Sequence, residues 1–455
     1  MTRAKDRGFV SPLWVAPRSG HDWVCEDTKR AVAWLKSFVP EHEMDERLNK
    51  CKEMYLKNRE AWENGEAVEL FDTTDEISWF IFQAETYAEG REFWVPDEAA
   101  RIVPFIQKIG KELHHLEAIE GVEERAKRTM TSERRQPEGG IFELLVAAAY
   151  KRHEWSSVGF IPETPGRGRT PDLFVNRSRQ KWAVECKRVL RSQYAKNEET
   201  WGKRLSQKVH DLSEDRGVPL VIDVYFYEEL HEFNEDYLRE RVEALLPLKL
   251  PTAESDGRAR LRIRQPEWEL VRNIMRTDFV YIGSSRMMEI LAGGHRHEMS
   301  HSLRARCRRA KDKPSYADTI YHASLVNWAC LSPKARDKKA AHFKKKIADA
   351  EAQLPPDRPG AVHIGIDSVG HVGVDQLRHV RNHFISREFE NVNSRLRWAY
   401  GNYFQLEVTT REGESCALEE TMAPYRIGNS RTKQPLSDHL LVADDDEQSF
   451  GAHWL

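Results

Sequence analysis

The sequence predicts an α/β protein in which a mixed sheet flanked by helices follows a helical N-terminal domain. Three observations carry this. Apolar residues recur at three- and four-residue spacing from Asp27 to Ile119, as amphipathic helices require. Two short β-prone runs, PDLFVN and KWAVECKR, flank a polar turn. Around them the order is helix, three strands, helix, strand, which builds a sheet with helices on its faces.

At 455 residues the chain is long enough for two or three domains, each with its own core. Hydrophobic residues at 40% and charged residues at 31% exclude a disordered or fibrous chain. No apolar run reaches bilayer length, and the start MTRAKDRGFVSPLW lacks the apolar core of a secretory signal, so a cytoplasmic protein with no membrane partner is expected. The six cysteines are scattered without CxxC pairs, which points to reduced thiols. A net charge of -3 does not advertise a nucleic-acid binder, so local charge has to decide.

Residues 1–23 hold Pro12, Pro17 and Gly20 among mixed charges and read as an irregular lead-in. The helical domain spans 24–130. Its first helices carry Ala31, Val32 and Leu35, then Leu48, Cys51 and Met54, with a break near Pro40. EISWFIFQAETYA and EAARIVPFIQKIGKELHHLEAI continue it. His114 and His115 are adjacent, hence about 100° apart on a helix and poorly placed to share a metal. The charged stretch EERAKRTMTSERRQPEGG reads as a linker or an exposed basic arm.

A core unit spans 136–230. Ile141 to Lys151 forms a helix with Ile141, Leu144, Leu145 and Ala148 on one stripe and Glu143 beside it. Val158 to Ile161 is a first strand, and the loop ETPGRGRT brings Arg167 and Arg169 up to Asp172. The two runs around NRSRQ form a hairpin. A helix from Tyr194 to Leu212 has Trp201, Leu205, Val209 and Leu212 facing inward, with Lys203, Arg204, Gln207 and Lys208 along the neighbouring surface. VPLVIDVYFY is the strand expected to complete the unit. Asp223 within it needs a partner and receives no catalytic role.

Residues 231–331 form an insertion or accessory region with possible strands at LRIRQ and FVYIG and a basic segment, GGHRHEMSHSLRARCRRAKDK. Residues 332–428, with a lysine-rich helix, the strand AVHIGID, the helix DQLRHVRNHF and the strand YFQLEVTT, extend the same sheet or make a separate α/β unit. Residues 429–455 read as an acidic surface tail.

Chemistry concentrates in PDLFVNRSRQKWAVECKR. Strand alternation points Glu185 and Lys187 to one face, with Val184 and Cys186 on the other, and Asp172 opens the partner strand. Two carboxylates hold a hard divalent cation, and an ammonium beside them orients a water or meets charge on a phosphate. This order resembles the PD-(D/E)XK signature of restriction-endonuclease-like nucleases, read as Pro171-Asp172 and Glu185-Cys186-Lys187.

The resemblance implies a restriction-endonuclease-like sheet and a magnesium-dependent endonuclease-type phosphodiesterase, with manganese as a substitute ion. Asp172 and Glu185 would be metal ligands, Lys187 catalytic, and Glu143 an accessory catalytic and metal residue. The expected partner is nucleic acid, DNA before RNA. Arg167, Arg169, Lys203, Arg204, Gln207, Lys208, Arg304, Arg306, Arg308 and Arg309 are the candidate contacts, because a local run of cations attracts phosphate. Foreign-DNA restriction or defence fits, as does repair. A nuclease-like module that binds nucleic acid or protein without cutting is the alternative, and a surface ion cluster on an unrelated α/β protein is the bland one. The N-terminal helices could serve a homo-oligomer or a protein partner. A zinc site at His295, His297 and His301 lacks a cysteine pair or fourth ligand.

Overall fold

Acidic residues open the first helices and apolar stripes seat them. The computed structural model describes residues 24–63, 66, 68–89, 92–162, 170–276, 280–294, 298–311, 313–340, 343–368, 372–392, 394–408, 416–436, 440–443 and 452–454. Helix α1 (Glu26–Lys36) has Glu26 and Asp27 in its first turn, where the helix dipole favours negative charge, and it buries Ala31, Val32 and Leu35. Helix α2 (Glu41–Glu63) follows Pro40, and α3 (Glu76–Ala88) is buried on nearly every side, as its apolar composition demands. Three short helices, α4 (Pro96–Ala100), α5 (Val103–Lys111) and α6 (Leu113–Leu116), lead to α7 (Val122–Thr131) and α8 (Glu138–Arg152).

Strands β1 (Ser157–Phe160), β2 (Leu173–Arg177) and β3 (Gln180–Val189) then form an antiparallel meander. Leu173 lies opposite Val184, and Arg177 opposite Gln180, which leaves a two-residue turn at Ser178 and Arg179. The chain leaves this sheet through α9 (Gln193–Asp215). Ser192 caps its start, its Oγ accepting the Ala195 N–H at 3.2 Å, and Gly217 ends it with a φ of 62° that glycine takes without strain.

There follow β4 (Leu220–Phe226), α10 (Tyr237–Ala244), β5 (Thr252–Ser255), β6 (Ala259–Arg264), α11 (Trp268–Met275), β7 (Val280–Tyr281), α12 (Ser285–Ala292), β8 (Ser300–Ala310) and β9 (Lys313–Cys330). These build a second sheet in the order β5-β6-β4-β9-β7, with β8 also paired to β9. The chain returns through α13 (Pro333–Lys339) and α14 (Phe343–Glu351) to β10 (Gly360–Asp367), α15 (Gly373–Glu388), β11 (Leu396–Val408) and β12 (Cys416–Arg426). The first sheet runs β1-β2-β3-β10-β11-β12.

This order corrects one expectation. VPLVIDVYFY does not complete the first sheet, because β4 lies between β6 and β9 in the second. The place beside β3 goes to β10, which runs parallel to it with Val362 opposite Glu185 and Ile364 opposite Lys187. Both strands are apolar and buried almost throughout, so either satisfies a central position, and only long-range pairing chooses. Of the two readings of 332–428, extension of the same sheet is the one observed.

One apolar cluster runs from Ala31 and Leu35 through Ile81, Leu144 and Val184 to Tyr400 and Leu441, so the N-terminal helices and the first sheet share a core. The opposite side of that sheet packs Ala183, Val362 and Tyr403 with Ile347 and Ala350 of α14. The second sheet has its own clusters, around Leu205, Val224 and Leu261 on one side and Val271, Leu291 and Leu325 on the other. Asp223 finds its partners in Arg264, at 2.8 Å, and Asn327, at 2.7 Å.

The tail beyond 429 is partly interior, contrary to expectation. Glu420 of β12 is buried and accepts the backbone N–H groups of Leu441 at 2.9 Å, Val442 at 2.8 Å and Ala443 at 3.2 Å. Those bonds fix the returning segment, and Leu441 is buried. Residues 444–447, which carry its acids, lie outside the described residues. Among the described residues no helix is long and apolar enough to cross a membrane.

Candidate active site

Asp172 stands immediately before β2, where its backbone carbonyl accepts the Ile161 N–H at 3.0 Å. Its Oδ2 accepts the Cys186 backbone N–H at 2.7 Å, which ties it across the hairpin to β3. Glu185 and Lys187 share a face of β3, as strand alternation dictates, and the Lys187 ammonium donates to Glu185 Oε1. The same oxygen accepts Gln353 Nε2 at 2.7 Å. Glu185 Oε2 is buried with no hydrogen-bond partner. A bare carboxylate oxygen costs free energy unless a proton or a cation meets it.

Glu143 comes from α8, and its carboxylate is gripped by Arg125 of α7, with Nε to Oε2 at 2.5 Å and Nη2 to Oε1 at 3.2 Å. Arg125 also meets Glu133 at 2.8 Å, and Arg128 meets the other Glu133 oxygen at 2.7 Å. Gly140 makes the approach possible, since a Cβ there would sit 2.1 Å from Thr129 Oγ1 and 2.7 Å from Arg125 Nη2. These groups line an open cavity of about 650 Å³ together with Ser132, Arg135, Gln136, Gly139 and Cys186.

Burial pushes the Asp172 carboxyl up to about 7, and the negative Glu185 adds to the push. Burial likewise raises Glu185 to about 7, with Lys187 pulling the other way. It raises Glu143 to about 7 too, helped by Asp172 and opposed by Arg125. For Lys187, burial lowers the pKa, but the carboxylates of Glu185 and Asp172 outweigh it and leave the ammonium above its ordinary value. The buried acids thus share the opening with an equal number of cations, Glu133, Glu143, Asp172 and Glu185 facing Arg125, Arg128, Arg135 and Lys187 along its lining. Among the described residues, the group of three potential ligands whose atoms lie within 4.8 Å of one another is Glu229, His231 and Glu232, so Glu143, Asp172 and Glu185 are not drawn that close together. Glu229 already accepts Tyr194 Oη at 2.6 Å and Lys338 Nζ at 2.7 Å.

The other expected contacts that lie among the described residues do not line this cavity. Arg167 and Arg169 lie outside the described residues, as do His295 and His297. His301 Nδ1 is 2.9 Å from Asn327 Oδ1, so its own hydrogen bond is within the second sheet. Lys203, Arg204, Gln207 and Lys208 lie on α9 and do not line the cavity. Lys203 pairs with Glu199 at 2.9 Å, Arg204 with Glu235 at 3.6 Å, and Gln207 meets Asp211 at 3.4 Å. The basic segment is a strand, β8, and its field is largely cancelled. Arg304 pairs with Asp211 at 2.9 Å and Glu214 at 3.1 Å, Arg306 with Glu214 at 3.2 Å, Arg308 with Asp318 at 2.5 Å, and Arg309 with Glu63.

Sequence reasoning missed Arg125, Arg128, Glu133 and Gln353. EERAKRTMTSERR is neither linker nor arm: Val122, Ala126 and Met130 recur every four residues and are buried, a signal that its charge obscured. Gln353 has no local signal, because α14 reaches the site only through the sheet order. Comparison with protein-family models, with curated proteins and with solved structures finds no match for this chain.

Proposed function

We propose that this chain is a divalent-metal-dependent nuclease with a restriction-endonuclease-like core, hydrolysing phosphodiester bonds of nucleic acid, DNA foremost. The observation that carries the reading is Glu185 Oε2, buried and unpartnered beside Asp172 in a cavity shared with an ammonium. A hard cation is the partner such an oxygen lacks, and carboxylate oxygens are what magnesium or manganese take. The order α8, β1, β2, β3 with a parallel strand beside β3 supports the same core.

Asp172 and Glu185 would hold the ion, Asp172 through Oδ1, since its Oδ2 is engaged by Cys186. A cation bound there supplies an activated water and offsets charge gathering on the phosphate. Lys187 reaches the same opening and would orient the attacking water or meet the phosphoryl oxygens. Glu143, its carboxylate held by Arg125, is a further acid lining the opening. Gln353 and Lys187 keep Glu185 Oε1 in place, which leaves the buried Oε2 without a competing donor.

The test is cleavage of plasmid and single-stranded DNA with magnesium or manganese. Asp172→Ala and Glu185→Ala should lose cutting by about 100-fold or more, and Lys187→Ala by a similar factor, with the thermal melt retained. Undiminished cutting in all three would sink the reading.

A further inference from the structure

We infer that Arg125 takes the place of a second cation, so that this site binds one divalent ion, on Asp172 and Glu185, with Glu143 serving the tethered guanidinium instead of a metal. The inference rests on the nuclease reading and narrows it.

Glu143 is the third acid of the set, and both its oxygens are already engaged by Arg125. The guanidinium is not a passing neighbour. Its side chain is 5% exposed, Glu133 holds its far edge, and Thr129 Oγ1 lies 3.3 Å from Nη1. Gly140, about one turn before Glu143 on α8, leaves room for the group, since a Cβ there would lie 2.7 Å from Arg125 Nη2. A fixed positive charge on Glu143 repels a dication there, and the repulsion is strong where little water intervenes. Glu143, Asp172 and Glu185 are also not all within metal-sharing distance of one another.

Asp172 and Glu185 differ in kind. Each has one oxygen tied by N–H donors, and Glu185 keeps the other buried and bare. Two such oxygens suit one ion that retains several of its waters. Charge points the same way: four carboxylates and four cationic side chains line the cavity, so a single dication already leaves it positive enough for a phosphate. A second would add charge that no acid offsets.

Titrating the full chain with manganese, with free ion followed by electron paramagnetic resonance, tests this without relying on activity. The wild-type chain should bind one ion. Glu143→Gln should still bind one, Arg125→Lys one, and Arg125→Met two, because removal of the guanidinium frees both oxygens of Glu143. Two ions on the wild-type chain, loss of the ion in Glu143→Gln, or one ion on folded Arg125→Met overturns the inference. If cutting persists with two ions bound, the nuclease reading survives that outcome. If Arg125→Met fails to fold, Glu143→Gln decides. No ion on the wild-type chain overturns the inference and the nuclease reading together.

Discussion

Asp172 shows how a single side chain links the site to the stability of the protein. An aspartate in an unfolded chain titrates near about 3.9, whereas burial and Glu185 raise this one to about 7. Between those values the folded state holds a proton that the unfolded state has lost. Stability contributed by this group therefore falls as pH rises through that window, and the loss is complete above the folded pKa. His210 and His363, both lowered to about 3 by burial, pull the other way, since their contribution rises with pH from about 3 to about 6.5. Comparing wild type with Asp172→Asn cancels the histidines. Without metal the variant should gain melting temperature relative to wild type on moving from about pH 5 to about pH 8, and magnesium should reverse the order by stabilising only the wild type. An unchanged difference across that range would contradict the assignment. The shared face of Glu185 and Lys187 was legible because strand alternation is a local rule. Arg125 was not, because its partner Glu143 sits on another helix and only packing brings them together.

Helix α9 carries the chain from β3 to the second sheet, and its packing against that sheet is tight at two points. Gly202 faces Trp328 of β9 so closely that a Cβ would lie 2.3 Å from the indole. His210, one ridge further along, sits 2.8 Å from Ser324 Oγ and 2.9 Å from Ser302 Oγ, so one imidazole satisfies hydroxyls on both β8 and β9. Alanine favours a helix over glycine by about 1 kcal/mol, but overpacking a filled interface costs about 1–3 kcal/mol, and the indole is rigid. Gly202→Ala should therefore lower stability in urea by up to about 2 kcal/mol; a stabilised variant would show that the indole yields. The stripe Leu205, Val209 and Leu212 was plain in the sequence. The neutralised arginines of β8 were not, since Asp211, Glu214 and Glu63 lie far from them along the chain.

At the scale of the molecule, the helical region and the first sheet are one packed body rather than neighbours. Leu144, Ala148 and Val184 lie in the same cluster as Ala31, Ile81 and Ile106. Arg309 pairs with Glu63 and Trp94 packs on Tyr281 at 5.2 Å, so the helices also touch the second sheet. A chain begun at residue 136 would expose the apolar side of α8 and lose Arg125, and it should neither melt cooperatively nor bind manganese. A sharp calorimetric transition for that piece would show that the core stands alone. Periodicity revealed the helices, and strand propensity most of the strands. It did not reveal that β10, rather than β4, lies beside β3, because two apolar runs compete for one slot and the outcome depends on the whole chain.

That pairing sets a schedule for synthesis. Ala183 and Gly360 are partners in the sheet, yet the entire second sheet is translated between them. At about 5–20 residues per second, β3 waits of order ten seconds on the ribosome as an open edge before its parallel neighbour exists. Gln353 emerges just before β10, so the amide that donates to Glu185 and the strand beside it arrive together and late. A nascent chain that stalls inside the second sheet carries the acids of the motif without the neighbours that set their geometry, and its bare strand edge makes it a natural client for chaperones.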